Sequence, residues 1–493
     1  MKKLIVFLHQ GLGVALALLL LAWFASGLVL HFVPFPTLTS AARLAALPPL
    51  QVLPGCCLTA QQAAQRADLL AIDARLGLYG GVPVWRLLAR DAGGDGTEAP
   101  HWEVLDARSA AVLPPLSESQ AGTVAEAFSG RRMLQTEWLQ RDAWTLSPAL
   151  DPYRPLVKVT LEGDDGLELY VSAGAAEVVR DTRLAQRFWS QIGSVPHWLD
   201  PTPSRSPARH WHQVTVGLLL AAGALALGLG QWWLHRRQWL RARPSGMRWY
   251  QLPGLVVVVC MLSWIFSGPL GLGPSDAAAH GSTPVEASLD PNVALAQAEL
   301  RGLAVRELGV LQVAGESWYR LREAGRQMLL RADDGAALQP LPALPEATVA
   351  AALAALRPDT AAPLLRRLDA YDDLYYVCDT AWATQGARPL PVWRAEWADG
   401  ARAYADPRSA RVLLRSDATA GWQSWQRWRY QGVHSLESLP QWARPWLCRG
   451  LVLGLSLLGM ALCMGICVGA WRALRAAWPW PSRQALGAEV PVR

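Results

Sequence analysis

Charge is what this sequence has least of. Asp, Glu, Lys and Arg make up 17% of its 493 residues, against about 25% in an ordinary soluble domain. Hydrophobic residues make up 52%. That balance excludes a disordered chain and argues against a wholly soluble enzyme. The mean hydropathy of +0.13 is too mild for a chain buried in lipid throughout. Cysteine is scarce as well: there are seven, and none has zinc-type spacing. No G-x-G-x-x-G run follows a strand pattern, so the sequence offers no nicotinamide or flavin half. No Ser-His-Asp or metalloprotease motif is present, which leaves hydrolysis without support. What remains is a mixture of apolar spans and folded outer regions.

Four uncharged runs reach the ~20 residues that cross a bilayer. They are Gly11 to Leu30, Val214 to Trp233, Leu252 to Gly271 (interrupted by Pro253 and Pro269) and Gly450 to Trp471. Lys2 and Lys3 before the first run also suit a signal peptide. Its length, and Trp23, Phe24, His31 and Phe32 in place of a small-residue cleavage site, favour an anchor. Basic residues fix the direction. Lys2 and Lys3, the loop arginines 236, 237, 241, 243 and 248, and Arg472, Arg475 and Arg483 fall on one face if the spans alternate. That face is the cytoplasm. The net charge of +6 is therefore explained by topology and needs no nucleic acid.

The expected fold class is an α-helical membrane protein with four transmembrane helices in two repeated halves, plus outer α+β modules. The expected boundaries are helix 1 at 1–31, outer region 1 at 32–212 and helix 2 at 213–234. A basic loop at 235–250 leads to helix 3 at 251–271. Outer region 2 at 272–446, helix 4 at 447–472 and a tail at 473–493 complete the chain. The expected location is a bacterial inner membrane, with both termini cytoplasmic and the outer regions periplasmic.

The halves are legible as a duplication. Trp23-Phe24-Ala25-Ser26-Gly27 corresponds to Trp264-Ile265-Phe266-Ser267-Gly268, and His9-Gln10 to Tyr250-Gln251, both 241 residues apart. Arg187-Phe188-Trp189-Ser190-Gln191 corresponds to Arg427-Trp428-Arg429-Tyr430-Gln431. Parallel repeats imply a pseudo-two-fold axis along the membrane normal. Within the outer regions one phrase recurs: alternating apolar residues, a turn signal, then a second short apolar run. It occurs at 101–116, 167–182, 327–341 and 401–416 and reads as hairpins. Alanine-rich stretches near 59–70, 293–302 and 346–356 read as helices, with Thr59 and Asp290 as caps. Each half should hold two modules in which a helix packs on an antiparallel sheet.

Leu8 to Gly27 (LHQGLG…WFASG), Arg180 to Leu199, Trp264 to Gly268 and Arg427 to Glu437 together resemble the PepSY-associated transmembrane family over nearly the whole chain. The resemblance implies an inner-membrane protein with PepSY modules outside. Some members are haem-containing reductases of siderophore-bound iron, and others have no assigned activity, so the family alone does not settle function.

Histidine is a usual axial ligand of haem iron, and ionisable groups at membrane edges are often functional. His197 and His434 form the best pair, each preceding an even-numbered span at repeat-equivalent positions. The alternative for each is a helix cap or a bond to a backbone carbonyl. His212, beside Trp211 at the mouth of span two, could replace or join His197. His9 occupies the family's cytoplasmic position. Its counterpart is Tyr250, where relatives carry histidine, so an inner haem would rest on an unusual His9/Tyr250 pair. Haem b is the expected cofactor and the lipid bilayer the expected partner. Siderophore-bound ferric iron is a possible substrate, and a separate donor such as quinol would supply electrons. The rival expectation is a non-enzymatic anchor whose outer modules bind a peptide or protein. Ser26-Gly27 and Ser267-Gly268 allow close helix contact or room beside a flat cofactor. Asp164-Asp165 and Asp372-Asp373 read as solvated turns. Cys463 and Cys467 read as packing residues. Cys56, Cys57 and Cys378 lie where disulfides persist, but no pattern selects a pairing.

Overall fold

The computed structural model describes residues 2–33, 35–51, 55–93, 99–197, 284–333, 339–376, 388–416 and 444–477, with scattered helical positions between 215 and 267. Helix α1 (Lys2–Phe32) opens the chain. Two short helices follow, α2 (Ser40–Ala46) and α3 (Ala60–Arg66). Thr59 caps α3 in a reciprocal capping box with Gln62, which satisfies two backbone donors at once. Strands β1 (Leu69–Tyr79), β2 (Val82–Asp91) and β3 (His101–Asp106) complete a first module. Gly80 and Gly81, both at positive φ, make the two-residue turn between β1 and β2.

The second module begins with α4 (Glu118–Ser129). It continues with β4 (Met133–Leu139), β5 (Leu156–Leu161), β6 (Glu168–Ser172) and β7 (Glu177–Thr182). Helices α5 (Leu184–Ile192) and α6 (Ser194–His197) follow. The second half repeats this order. Its elements are α7 (Pro291–Glu299), capped by Asp290, then β8 (Glu307–Val313), β9 (Glu316–Arg322) and β10 (Gln327–Arg331). Next come α8 (Glu346–Ala354), β11 (Leu364–Leu368), β12 (Val392–Glu396), β13 (Arg402–Ala405) and β14 (Val412–Ser416). Helix α9 (Arg444–Ala477) is the last described element.

The first modules of the two halves share one six-stranded antiparallel sheet, ordered β10-β9-β8-β1-β2-β3. The seam is the β1/β8 pair, with Arg75 opposite Gly309 and Leu76 opposite Leu308. Helices α3 and α7 pack on this sheet over one continuous core that includes Ala60, Leu76, Trp85, Leu295, Leu308 and Tyr319. The second modules form separate four-stranded sheets, β4-β5-β6-β7 and β11-β12-β13-β14. These two match in detail. Tyr170 donates to Asp142 and Tyr404 to Asp372, both at 2.8 Å. A cis-proline precedes β5 and another precedes β12.

The expected four-helix membrane class is corrected by these observations. Most of the described chain is mixed α/β, in three antiparallel sheets. Among the described residues, two helices are long and apolar enough to cross a membrane, at Gly11–Phe32 of α1 and Gly450–Arg475 of α9. The runs at 213–234 and 251–271 lie largely outside the described residues. An uncharged run of twenty residues is a loud sequence signal. Strand alternation is a quiet one that such runs outweigh. Only 22% of the α1 stretch and 17% of the α9 stretch is buried, unlike the core helices of a soluble domain.

The two end helices pack on each other around Ala17, Leu20, Phe24 and Cys463. A Cβ at Gly459 would stand 2.8 Å from the Phe24 ring, so glycine permits the approach. Cys56 and Cys57 are disulfide-bonded to each other.

Candidate functional site

One predicted site residue has its side chain described, and its setting is specific. Helix α5 is tied to the second module by Arg187, which donates to Thr182 Oγ1 and to the Gly166 carbonyl, both at 2.9 Å. Arg187 also pairs with Glu168 at 3.2 Å. At the end of α5 the chain crosses α1 closely: a Cβ on Gly193 would lie 3.0 Å from Val29 Cγ1. Helix α6 then runs beside α1 and delivers His197 to Trp23, Ser26 and Gly27.

His197 Nδ1 lies 3.3 Å from the Trp23 carbonyl and 3.5 Å from Ser26 Oγ. Trp23 Nε1 donates to the His197 carbonyl at 2.6 Å. A Cβ on Gly27 would meet His197 Cε1 at 2.9 Å, so only glycine leaves room for this ring. A carbonyl accepts only from a protonated nitrogen, so in the neutral imidazole the hydrogen is assigned to Nδ1 and the lone pair to Nε2. The seat has an echo in the second half, where Ser267 Oγ donates to the Trp264 carbonyl at 3.4 Å, as Ser26 Oγ does to Trp23 at 2.9 Å. The Trp264 ring lies 6.1 Å from that of Phe24.

His434, His212 and Tyr250 lie outside the described residues. His9 is in α1, but its side chain is not among those described. The aspartate pairs hold turns. Asp372 accepts from the Leu374 and Tyr375 amides, Asp373 pairs with Arg402, and Asp165 pairs with Arg131 and Arg183. Among the described residues no group of His, Cys, Asp and Glu stands ready to hold a metal ion.

The sequence reading missed a buried charge network where α2, the six-stranded sheet and the second module meet. Glu177 pairs with Arg43 at 2.9 Å and Arg75 at 3.0 Å. Glu307 pairs with Arg43 at 2.6 Å and Arg322 at 2.7 Å. Arg75 lies 3.8 Å over the Trp102 ring and donates to Tyr153 at 2.9 Å. Burial alone would raise the Glu307 carboxyl, but Arg43, Arg75 and Arg322 override it and hold its pKa down at about 2. Each carboxylate is saturated by guanidinium groups, so the network reads as a staple between modules. Single charged residues inside strands look like ordinary solvent-facing positions, which is why no sequence pattern points to the network.

No family model matches the chain, and no curated protein matches it. A solved structure from Clostridium difficile 630, described as a "putative lipoprotein", aligns at 12% identity over 24% of this chain and 86% of that one, with a TM-score of 0.11. A likeness that slight carries no argument about fold or function.

Proposed function

We propose that this is a membrane-anchored haem protein that passes electrons to an acceptor on the outer face, with siderophore-bound ferric iron as the acceptor class. In this reading α1 and α9 anchor the chain in a bacterial inner membrane. The basic residues near both ends support cytoplasmic termini. The observation that supports it best is the seat of His197. A ligating histidine usually gives its second nitrogen to a carbonyl or carboxylate, which fixes the tautomer and raises ligand basicity. His197 has that arrangement through Trp23. A bound haem would supply a one-electron redox centre. His197 would hold its iron through Nε2, Trp23 would orient the ring, and Gly27 would leave space for it. His434 is the proposed second ligand, and His212 would replace or join His197. His9 and Tyr250 are the candidates for an inner site, and a separate donor such as quinol would reduce it.

The test is an absorption spectrum of the detergent-purified chain, oxidised and dithionite-reduced. A Soret band with sharp reduced α and β bands is expected, and it should be lost in His197→Ala. A chain that stays colourless after expression with added haem ends this reading. The second reading, an anchored module that binds a peptide or protein, then takes its place. It has its own support in β4, an edge strand of its sheet that exposes Leu134 and Trp138. Such an edge can accept an added strand.

A further inference from the structure

Helix α5 is inside-out for a helix in water. Leu184, Phe188, Trp189 and Ile192 are 57%, 55%, 44% and 40% exposed, and Ala185 is exposed beside them. At about 100° per residue these five side chains fall within an arc of roughly 140°. The side turned toward the protein is the polar one. Ser190 is buried, Arg187 is bound to Thr182, Gly166 and Glu168, and Arg183 at the N-cap pairs with Asp165. A surface helix in water has the reverse arrangement.

The position of α5 says what covers that face. Its C-terminal end meets α1 at Val29, three residues before the end of the apolar stretch at Phe32. At 1.5 Å per residue, Val29 is about 4.5 Å below that end. Helix α6 then descends beside α1, and His197 meets Gly27 and Trp23, about 7.5 and 13.5 Å below Phe32. The exposed arc of α5 thus stands level with the end of the lipid-facing surface of α1, which includes Leu18 and Phe32. Trp189 is a residue type that settles at headgroup depth, and Phe188 and Leu184 suit the apolar face of an interfacial helix.

We propose that α5 is an interfacial foot. Its apolar arc lies in the boundary between headgroups and acyl chains of the bilayer that α1 crosses, with phospholipid as the occupant. The foot sets the height of the second module above the membrane and places His197 within the outer leaflet. The proposal rests on α1 crossing the membrane and is independent of haem.

The test uses the full chain in phosphatidylethanolamine/phosphatidylglycerol nanodiscs, with the photoreactive residue benzoylphenylalanine at single positions. Phe188→benzoylphenylalanine and Ile192→benzoylphenylalanine should each give lipid adducts by mass spectrometry, as should Leu18→benzoylphenylalanine in α1. Leu364→benzoylphenylalanine, on an exposed edge strand, should give none. A cross-link between two copies of the chain through position 188 or 192 would overturn the proposal. So would absence of lipid adducts at 188 and 192 while position 18 is labelled. Failure at all three positions would remove the membrane premise itself.

Discussion

Glu307 shows how much one side chain can hold. It is nearly fully buried and ties Arg43 to Arg322. Glu307→Gln keeps the shape but leaves cationic partners under-compensated in a buried site. Loss of one partner of such a pair costs about 3–5 kcal/mol, and a fall of that order in unfolding free energy is expected by urea titration. The carboxyl's folded pKa, about 2, lies below its ordinary value of 4.5. A depressed acid contributes stability above its unfolded pKa, and that contribution disappears as pH falls through the folded one. The urea midpoint should therefore drop between about pH 4.5 and pH 2. The drop should be smaller in Glu307→Gln. None of this was legible in the sequence, because nothing in the pattern of β1 or β8 distinguishes a buried Arg75 or Glu307 from a solvent-facing one. The sequence singles out His197 through its repeat with His434, but its seat against Gly27 and Trp23 leaves no sequence trace.

Among the elements, those with a local signature could be read directly. Thr59 with Gln62 spells a capping box, and Asp290 before Pro291 spells a helix start. The phrases at 167–182 and 401–416 form the hairpins β6–β7 and β13–β14. Edge strands β4 and β11 lacked that signature, since much of each is exposed and little alternation survives. The contact of α6 with α1 depends on a missing methyl group that no periodicity reports. Gly27→Ala should push the His197 ring off α1 and cost about 1–3 kcal/mol, the usual penalty of overpacking. Gly13→Ala, with nothing among the described residues within 4 Å of its added Cβ, should leave thermal stability in detergent unchanged. Equal effects of the two substitutions would refute the tight seat.

For the whole molecule, the duplication was visible as matched phrases, but the way the halves join was not. Strand pairing across more than 200 residues leaves no short-range trace. The β1/β8 seam makes one sheet of two halves, and the shared core runs beneath it. Residues 1–250 alone would leave β1 as an unprotected edge, which invites pairing with another chain. That fragment should run as a dimer or larger species on size exclusion in detergent, while the full chain should not form that species through β1. A strictly monomeric, folded fragment would show that the seam is dispensable.

The same seam bears on history. Two copies of a half-length ancestor could have met edge to edge along the equivalent strand, each supplying three strands to a common sheet. Joining the two genes would have turned an encounter that depended on concentration into a permanent one. Each copy was then free to diverge, and the pairing of His9 in one repeat with Tyr250 at the corresponding position of the other is the kind of asymmetry a fused pair can keep.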